Sequence, residues 1–273
     1  LNSITRGILS MEDQAKMGFL NKKFLAQHGL SIFIESDQNV LFDAGPSDGY
    51  LTNASLLDLD LQKTDLVALS HGHWDHTDGL SFLHLEKPKR KLVAHPNVFA
   101  DRHKTTGEFN GMALSQERLA DAFDLVLTTE TVHISENIVF LAQIPRLNNF
   151  EAQKTSFFQI VDGQRQEDYI MDDTALVIKS KYGLIIVTGC SHAGICNIVD
   201  YSKHVCNMES VYMVLGGFHM LGDDRQLEKT VEYFEANPVD HLYPMHCTDL
   251  SALCAFDKHF GVHKLCAGDT IEI

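Results

Sequence analysis

Short apolar runs alternate along the chain with segments whose apolar residues recur at helical spacing, the pattern of an α/β protein. Residues 38–43 (Gln-Asn-Val-Leu-Phe-Asp) predict a strand, stopped by Ala44-Gly45-Pro46-Ser47. Ser47 is placed to cap a helix running to about Leu57. Residues 64–70 predict a second, buried strand whose carboxyl end delivers His71. Residues 76–85 read as a helix, 91–94 as a short strand and 115–123 as a helix. The stretch 100–113 is polar, carries Gly107 and Asn110-Gly111, and reads as a loop or lid. Further strands are expected at 132–134, 138–142, 175–178, 184–188, 210–215, 241–245 and 270–273, with helices at 225–235 and 250–260. No low-complexity linker divides the chain, so one domain over 1–273 is expected.

A faint internal repeat runs through this pattern. Leu41-Phe42-Asp43-Ala44-Gly45 resembles Ile185-Ile186-Val187-Thr188-Gly189, each a strand ended by Gly. The first leads on to Leu69-Ser70-His71-Gly72-His73, the second to Leu215-Gly216-Gly217-Phe218-His219. Two pseudo-repeated halves, about 1–145 and 146–273, are implied, each with a His just past a strand. In such folds the ends of the strands are the natural place for a site.

Composition narrows the partners. The chain has 273 residues, 44% of them hydrophobic, and a formal net charge of −15. A surface of that sign repels nucleic acid, and the one basic run, Lys87-Pro88-Lys89-Arg90-Lys91, reads as a solvated turn. No apolar run approaches the roughly 20 residues that span a bilayer, and residues 1–9 do not read as a secretion signal. All six cysteines lie in the last third, none spaced Cys-x-x-Cys, and read mostly as buried reduced thiols of a cytoplasmic protein. The expected partner is a small, anionic molecule, with neither nucleic acid nor membrane.

The strongest chemical signal is His71-x-His73-x-Asp75-His76, which follows an apolar strand and opens a helix. Imidazole and carboxylate suit zinc, iron or manganese. Two imidazoles two positions apart can reach one ion, and Asp75 and His76 can face a second. Gly72 removes side-chain bulk where the backbone turns.

This signature resembles that of the metallo-β-lactamase superfamily, and Phe42-Asp43-Ala44-Gly45 resembles the superfamily's first motif. More narrowly, His28-Gly29-Leu30-Ser31, Ser70-His71-Gly72-His73-Trp74-Asp75-His76, Ile144-Pro145-Arg146, Thr188-Gly189-Cys190-Ser191-His192-Ala193-Gly194, Gly216-Gly217-Phe218-His219 and Pro244-Met245-His246-Cys247-Thr248 are similar to one branch. That branch is the dihydropterin-(ribofuranosyl)aminobenzene phosphate synthase-like family, and the similarity covers nearly the whole chain. The resemblance implies a four-layer αββα sandwich and two divalent metal ions, zinc first, with manganese or iron as alternatives.

The resemblance also implies a ligand set. No His occurs between Asn137 and Cys190, where the superfamily's third imidazole usually lies, so His192 is expected to supply it. His246 is expected as the last ligand, giving His71, His73, Asp75, His76, His192 and His246 together. Cys190 stands near a position where the zinc β-lactamases carry a Cys, and remains open between metal ligand and structural thiol. Asp43 is expected to hold the ligand turn, fixing a histidine tautomer, or else to serve only as a turn-forming residue. Asp75 is expected to orient the attacking water. His219 is expected to face the site as a donor to substrate or as a further ligand. Arg146 and Lys154 could meet an anion but read as ordinary surface cations. Asp172-Asp173 is open between supporting the site and being solvated. The implied reaction is hydrolysis of a phosphoester or phosphodiester by a metal-activated hydroxide. The alternative is condensation of a dihydropterin diphosphate with a ribofuranosylaminobenzene phosphate.

Overall fold

The computed structural model describes residues 24–273, which form two compact units: 24–129 with 265–273, and 130–264. The reading of residues 1–9 lies outside the described residues.

The first unit is built on a five-stranded sheet. It opens with an antiparallel hairpin, β1 (Ile32–Glu35) and β2 (Asn39–Phe42). Helix α1 (Gly49–Leu56) crosses to β3 (Leu66–Ala68), parallel to β2. Helix α2 is one turn, Trp74–Thr77, and a 3-10 segment, Asp78–Phe82, follows it. β4 (Arg90–Ala94) pairs parallel to β3. β5 (Arg102–Lys104) is a short excursion, and α3 (Gln116–Ala122), capped by the Ser115 side chain on Arg118 N–H, leads into β6 (Phe123–Leu127), parallel to β4. The core of this unit gathers Phe33, Leu41, Val67, Leu69, Leu92 and Phe123 with apolar residues of α1 and α3.

The second unit carries a six-stranded sheet in the order β14-β13-β12-β11-β8-β7. β7 (Val132–His133), β8 (Ile138–Leu141), β11 (Ala175–Ser180) and β12 (Gly183–Thr188) pair antiparallel. A separate hairpin, β9 (Phe157–Val161) with β10 (Gln164–Glu167), leaves the chain between β8 and β11. Helix α4 (Ile195–Cys206) crosses to β13 (Val211–Gly217), and α5 (Asp224–Ala236) crosses to β14 (His241–Met245), both strands running parallel. α6 (Leu250–Phe260) closes the unit, started by the Asp249 cap on Ala252 N–H and stopped by Gly261 at φ +65°. Phe218, Phe234 and Phe256 pack edge-on and stacked in its core.

The faint repeat has a topological counterpart within each unit. An antiparallel hairpin (β1β2, β11β12) is followed by a helical crossover to a parallel neighbour (β3, β13), and then by a second parallel strand (β4, β14).

Several expectations change. Residues 270–273 form no strand, since an alternation four residues long carries no information about a ladder partner. The helix expected over 76–85 is instead one turn and a 3-10 segment. There Gly79 backs directly onto the carbonyls of Ala44 and Ser47, and its N–H donates to Gly45 O at 2.8 Å, which pulls the segment off the α-helical path. The stretch 100–113 is anchored: Arg102 is fully buried, Ala113 N–H donates to Asp78 Oδ1 at 3.0 Å, and Gly111 bridges His73. Helix α1 has Asp48 as its N-cap residue, whose side chain makes no cap bond, while Ser47 Oγ, one residue earlier, accepts from Gly49 N–H at 3.4 Å. Helix α4 has no counterpart among the sequence expectations. Its buried stripe Ile195, Ile198, Val199, Ser202, Cys206 follows helical spacing, but no side chain caps it from the preceding residue, Gly194.

Among the described residues, no helix is long and apolar enough to cross a membrane.

Candidate metal centre

In the first unit the loop after β3 carries Ser70, His71, Gly72 and His73 straight into α2, which presents Asp75 and His76. Ser70, His71, His73, Asp75 and His76 are all buried. Gly72 is required because a Cβ there would overlap the Val98 carbonyl. Gly29, at φ +145°, lets the chain pass against the Asp75 carbonyl, which accepts from Leu30 N–H at 3.2 Å. Ala44 N–H donates to His76 O at 2.8 Å.

Asp43 ties this turn together from the end of β2, as expected. It sits at φ +58°, a left-handed conformation that Asp tolerates better than most residues. Its Oδ1 accepts from Ser70 N–H at 2.7 Å, and its Oδ2 accepts from Ser70 Oγ at 2.6 Å and meets His76 Nδ1 at 2.7 Å. Ser70 has one hydroxyl proton, and it is donated in the hydrogen bond to Asp43 Oδ2. The 2.9 Å contact of Ser70 Oγ with His71 Nδ1 therefore has the imidazole N–H as donor. The network thus assigns protons to Nδ1 of both His71 and His76 and leaves both Nε2 atoms with lone pairs, the form that binds metal. His71 Nε2 lies 2.9 Å from His73 Nδ1. Two buried imidazole nitrogens at that distance need a shared proton or a shared cation. Three imidazoles and the Asp75 carboxylate are a donor set that fits a divalent zinc-like ion.

His28 was given no role from the sequence. Its Nε2 lies 3.3 Å from Asp75 Oδ2, which is also 3.7 Å from His76 Nε2. The only signal for His28 was its place in a branch motif, beside Gly29. Burial raises the Asp78 pKa, while the Ala113 N–H and Thr77 hydroxyl oppose the shift.

In the second unit the loops leaving β12, β13 and β14 carry Cys190 and His192, His219, and His246 and Cys247, respectively. Ser191, His219 and His246 take positive φ values of 60°, 47° and 52°. Left-handed non-glycine residues concentrated in three adjacent loops are the kind of local strain found at functional sites. The His192 and His219 rings are 4.2 Å apart, and Phe157 meets His192 edge-on at 5.7 Å. The nitrogens and sulfurs of Cys190, His219 and Cys247 come within 4.8 Å of one another. Cys247 Sγ donates to Cys190 O at 3.4 Å. Burial works to raise the Cys247 thiol pKa, but hydrogen bonds with Cys190 and His219 and the nearby His246 outweigh it and hold the thiol well below its ordinary range.

The loop 188–194 is held by groups outside it. Ser191 Oγ donates to Gly217 O at 2.6 Å, and Ala193 N–H donates to Asp173 Oδ2 at 2.8 Å. Burial pushes the Asp173 carboxyl up to about 7, against the Ala193 N–H and the charge of Arg146. Asp173 is therefore a support of the His192 loop and not a solvated acid. Arg146 also departs from the expected surface cation: its guanidinium donates to the Tyr169 and Ile170 carbonyls, and burial lowers its pKa. Lys154 is exposed. Glu151, fully buried, accepts from Cys196 N–H at 3.0 Å and Asn197 N–H at 3.1 Å, capping α4 from 45 and 46 positions away. No pattern in the sequence pointed to it.

A family model described as the beta-lactamase superfamily domain matches residues 38–140. An uncharacterized protein of Methanocaldococcus jannaschii is 36% identical over 235 residues, covering 85% of this chain and 88% of the relative. The 7,8-dihydropterin-6-methyl-4-(beta-D-ribofuranosyl)-aminobenzene-5'-phosphate synthase of the same organism is 32% identical over 270 residues, 92% of each chain. The crystal structure of Tm1679, a metal-dependent hydrolase of the beta-lactamase superfamily, superposes with a TM-score of 0.83 at 28% identity, covering 100% of this chain and 99% of that one. The chain therefore has the metallo-β-lactamase fold and belongs to the metallo-β-lactamase superfamily, in the branch that includes the dihydropterin-ribofuranosylaminobenzene phosphate synthase.

Proposed function

We propose that this protein is a metal-dependent hydrolase acting on a phosphoester or phosphodiester. The observation that carries the reading is the buried cluster His71, His73, Asp75 and His76, whose His71 and His76 Nε2 lone pairs are set by Ser70 and Asp43. The 28% identity to Tm1679, a metal-dependent hydrolase, supports it. The full ligand set of the proposal adds His192 and His246, for two divalent ions, zinc first.

When bound, such ions lower the pKa of water from 15.7 towards about 7 and polarise a substrate oxygen. The remaining work falls to the chain. Asp75 orients the attacking water. Asp43 and Ser70 keep protons on Nδ1 of His76 and His71, so neither ring turns its N–H toward the ions. His219 donates a proton or hydrogen bond to the substrate oxygen that gains charge.

The second reading is a synthase activity like that for which the 32% identical relative is named, in the form the motif resemblance implies: a condensation in which pyrophosphate leaves a dihydropterin diphosphate. One assay separates the two. Metal-reconstituted protein is offered a panel of phosphomonoesters and phosphodiesters, and separately the dihydropterin diphosphate with the ribofuranosylaminobenzene phosphate. Release of phosphate or alcohol from an ester supports the hydrolase. A pterin conjugate with pyrophosphate, and no ester cleavage, overturns it.

A further inference from the structure

The second unit contains a cavity of about 180 Å³ walled by Phe150, Phe157, Tyr169, His192, His219 and Leu221, with Lys154 at its lining. Its size is informative, because an engineered apolar cavity of about 150 Å³ is large enough for one benzene ring. A cavity of this size holds a single six-membered ring with small substituents. Its shape is informative as well. Phe157, His192 and His219 stand in sequence, ring against ring, at 5.7 Å and 4.2 Å. That gives the cavity a continuous wall of π faces and edges, which a flat ring can match by offset or edge-on contact and a saturated chain cannot.

The wall is held in place independently of any ligand. Phe157 opens β9, its N–H donates to Thr155 Oγ1 at 3.1 Å, and Asp168 N–H closes the hairpin on Phe157 O at 3.2 Å. The carbonyls of Tyr169 and Ile170, which also line the cavity, are fixed by the Arg146 guanidinium. Arg146 is thus occupied in building the cavity, and its lining carries one lysine, Lys154, and one carboxylate, Asp223, whose Oδ1 accepts from Gln226 N–H.

We infer that this cavity is the substrate-recognition subsite, and that it selects phosphoesters bearing a planar ring over alkyl esters. The inference rests on the hydrolase reading for the word ester; the preference for a planar ring rests on the cavity alone.

The test is therefore a binding measurement with molecules that cannot be hydrolysed. Methylphosphonate and phenylphosphonate are titrated calorimetrically into the metal-loaded protein and into Phe157→Ala and Phe157→Leu. Phenylphosphonate is expected to bind at least tenfold tighter than methylphosphonate in the wild type. The phenyl-over-methyl ratio is expected to fall at least fivefold in both variants, and Phe157→Leu, which keeps most of the volume, separates loss of the ring from loss of the fold. Lys154→Met is expected to weaken phenyl- and methylphosphonate by the same factor, leaving their ratio alone. Equal affinities for phenyl and methyl, or a ratio unmoved in both Phe157 variants, overturns the inference. The hydrolase reading fails separately: a Phe157-dependent phenyl preference without turnover of any ester leaves the subsite standing and removes the hydrolase, whereas turnover without the preference does the reverse.

Discussion

Asp43 and His76 stand 33 positions apart, and the Asp43 carboxylate meets His76 Nδ1 at 2.7 Å with both side chains fully buried. The same carboxylate accepts the hydrogen bond of the Ser70 hydroxyl, so one acid sets the tautomers of two imidazoles. Asp43→Asn preserves a side chain that tolerates the left-handed backbone at φ +58° but removes an acceptor and the charge. Metal affinity, measured by competition with a chromogenic chelator, is expected to drop about 10- to 100-fold with the fold retained. Unchanged affinity would show that the tautomers are set elsewhere.

The proposed six ligands provide for two ions with open positions for water. Elemental analysis of protein purified with zinc supplied should approach two ions per chain. A firm value below one, with turnover retained, would sink the two-metal reading.

Asp75 and His219 are expected to separate metal binding from chemistry. Asp75→Ala should lower both metal content and turnover. His219→Ala should keep its metal and lose about 10²-fold or more in turnover on an ester the wild type cleaves. Loss of metal in His219→Ala would move that residue into the ligand set, and full activity would return it to an ordinary loop position.

Gly72 tests how tightly the turn is built. A methyl group at this position meets the Val98 carbonyl oxygen, which belongs to backbone and cannot swing away. Gly72→Ala is expected to lower the thermal midpoint and to release metal at chelator concentrations that the wild type withstands. A variant with wild-type midpoint and metal retention would show that the backbone there yields.

Glu151 offers a stability test with a pH signature. Glu151→Ala leaves the Cys196 and Asn197 N–H groups without their carboxylate, at an expected cost of about 2 kcal/mol in urea unfolding. Burial raises the Glu151 pKa above its ordinary value of 4.5, against the pull of the N–H donors. Between 4.5 and the raised folded value the native state holds more protons than the unfolded chain. The stability due to this group is therefore full below the unfolded pKa and declines as pH rises through the folded one. The advantage of wild type over Glu151→Gln, measured on metal-free protein at about pH 5 and about pH 8, should shrink at the higher pH. A widening advantage would mean that the helix N-terminus, not burial, governs this carboxyl.

The sequence by itself determined the features that depend on near neighbours. Three histidines and an aspartate within six residues, after an apolar strand, marked the ligand turn. The hydrophobic pattern marked α5 and α6, the latter over the residues it occupies. The resemblance in the motifs identified the fold and the branch. What only the tertiary structure decided depends on atoms distant in sequence. Helix α4 escaped notice because its cap is Glu151, 45 positions before Cys196, and local patterns carry no trace of such a partner. Arg146 looked like a surface cation because nothing in its neighbours announces the Tyr169 and Ile170 carbonyls that hold it. The segment expected as a helix from 76 was diverted by the Ala44 and Ser47 carbonyls against Gly79, more than 30 residues earlier in the chain. Periodicity and capping are short-range properties of the backbone and can be read in one dimension. Burial, the identity of a remote hydrogen-bond partner and the volume of a cavity arise only when the chain has closed on itself.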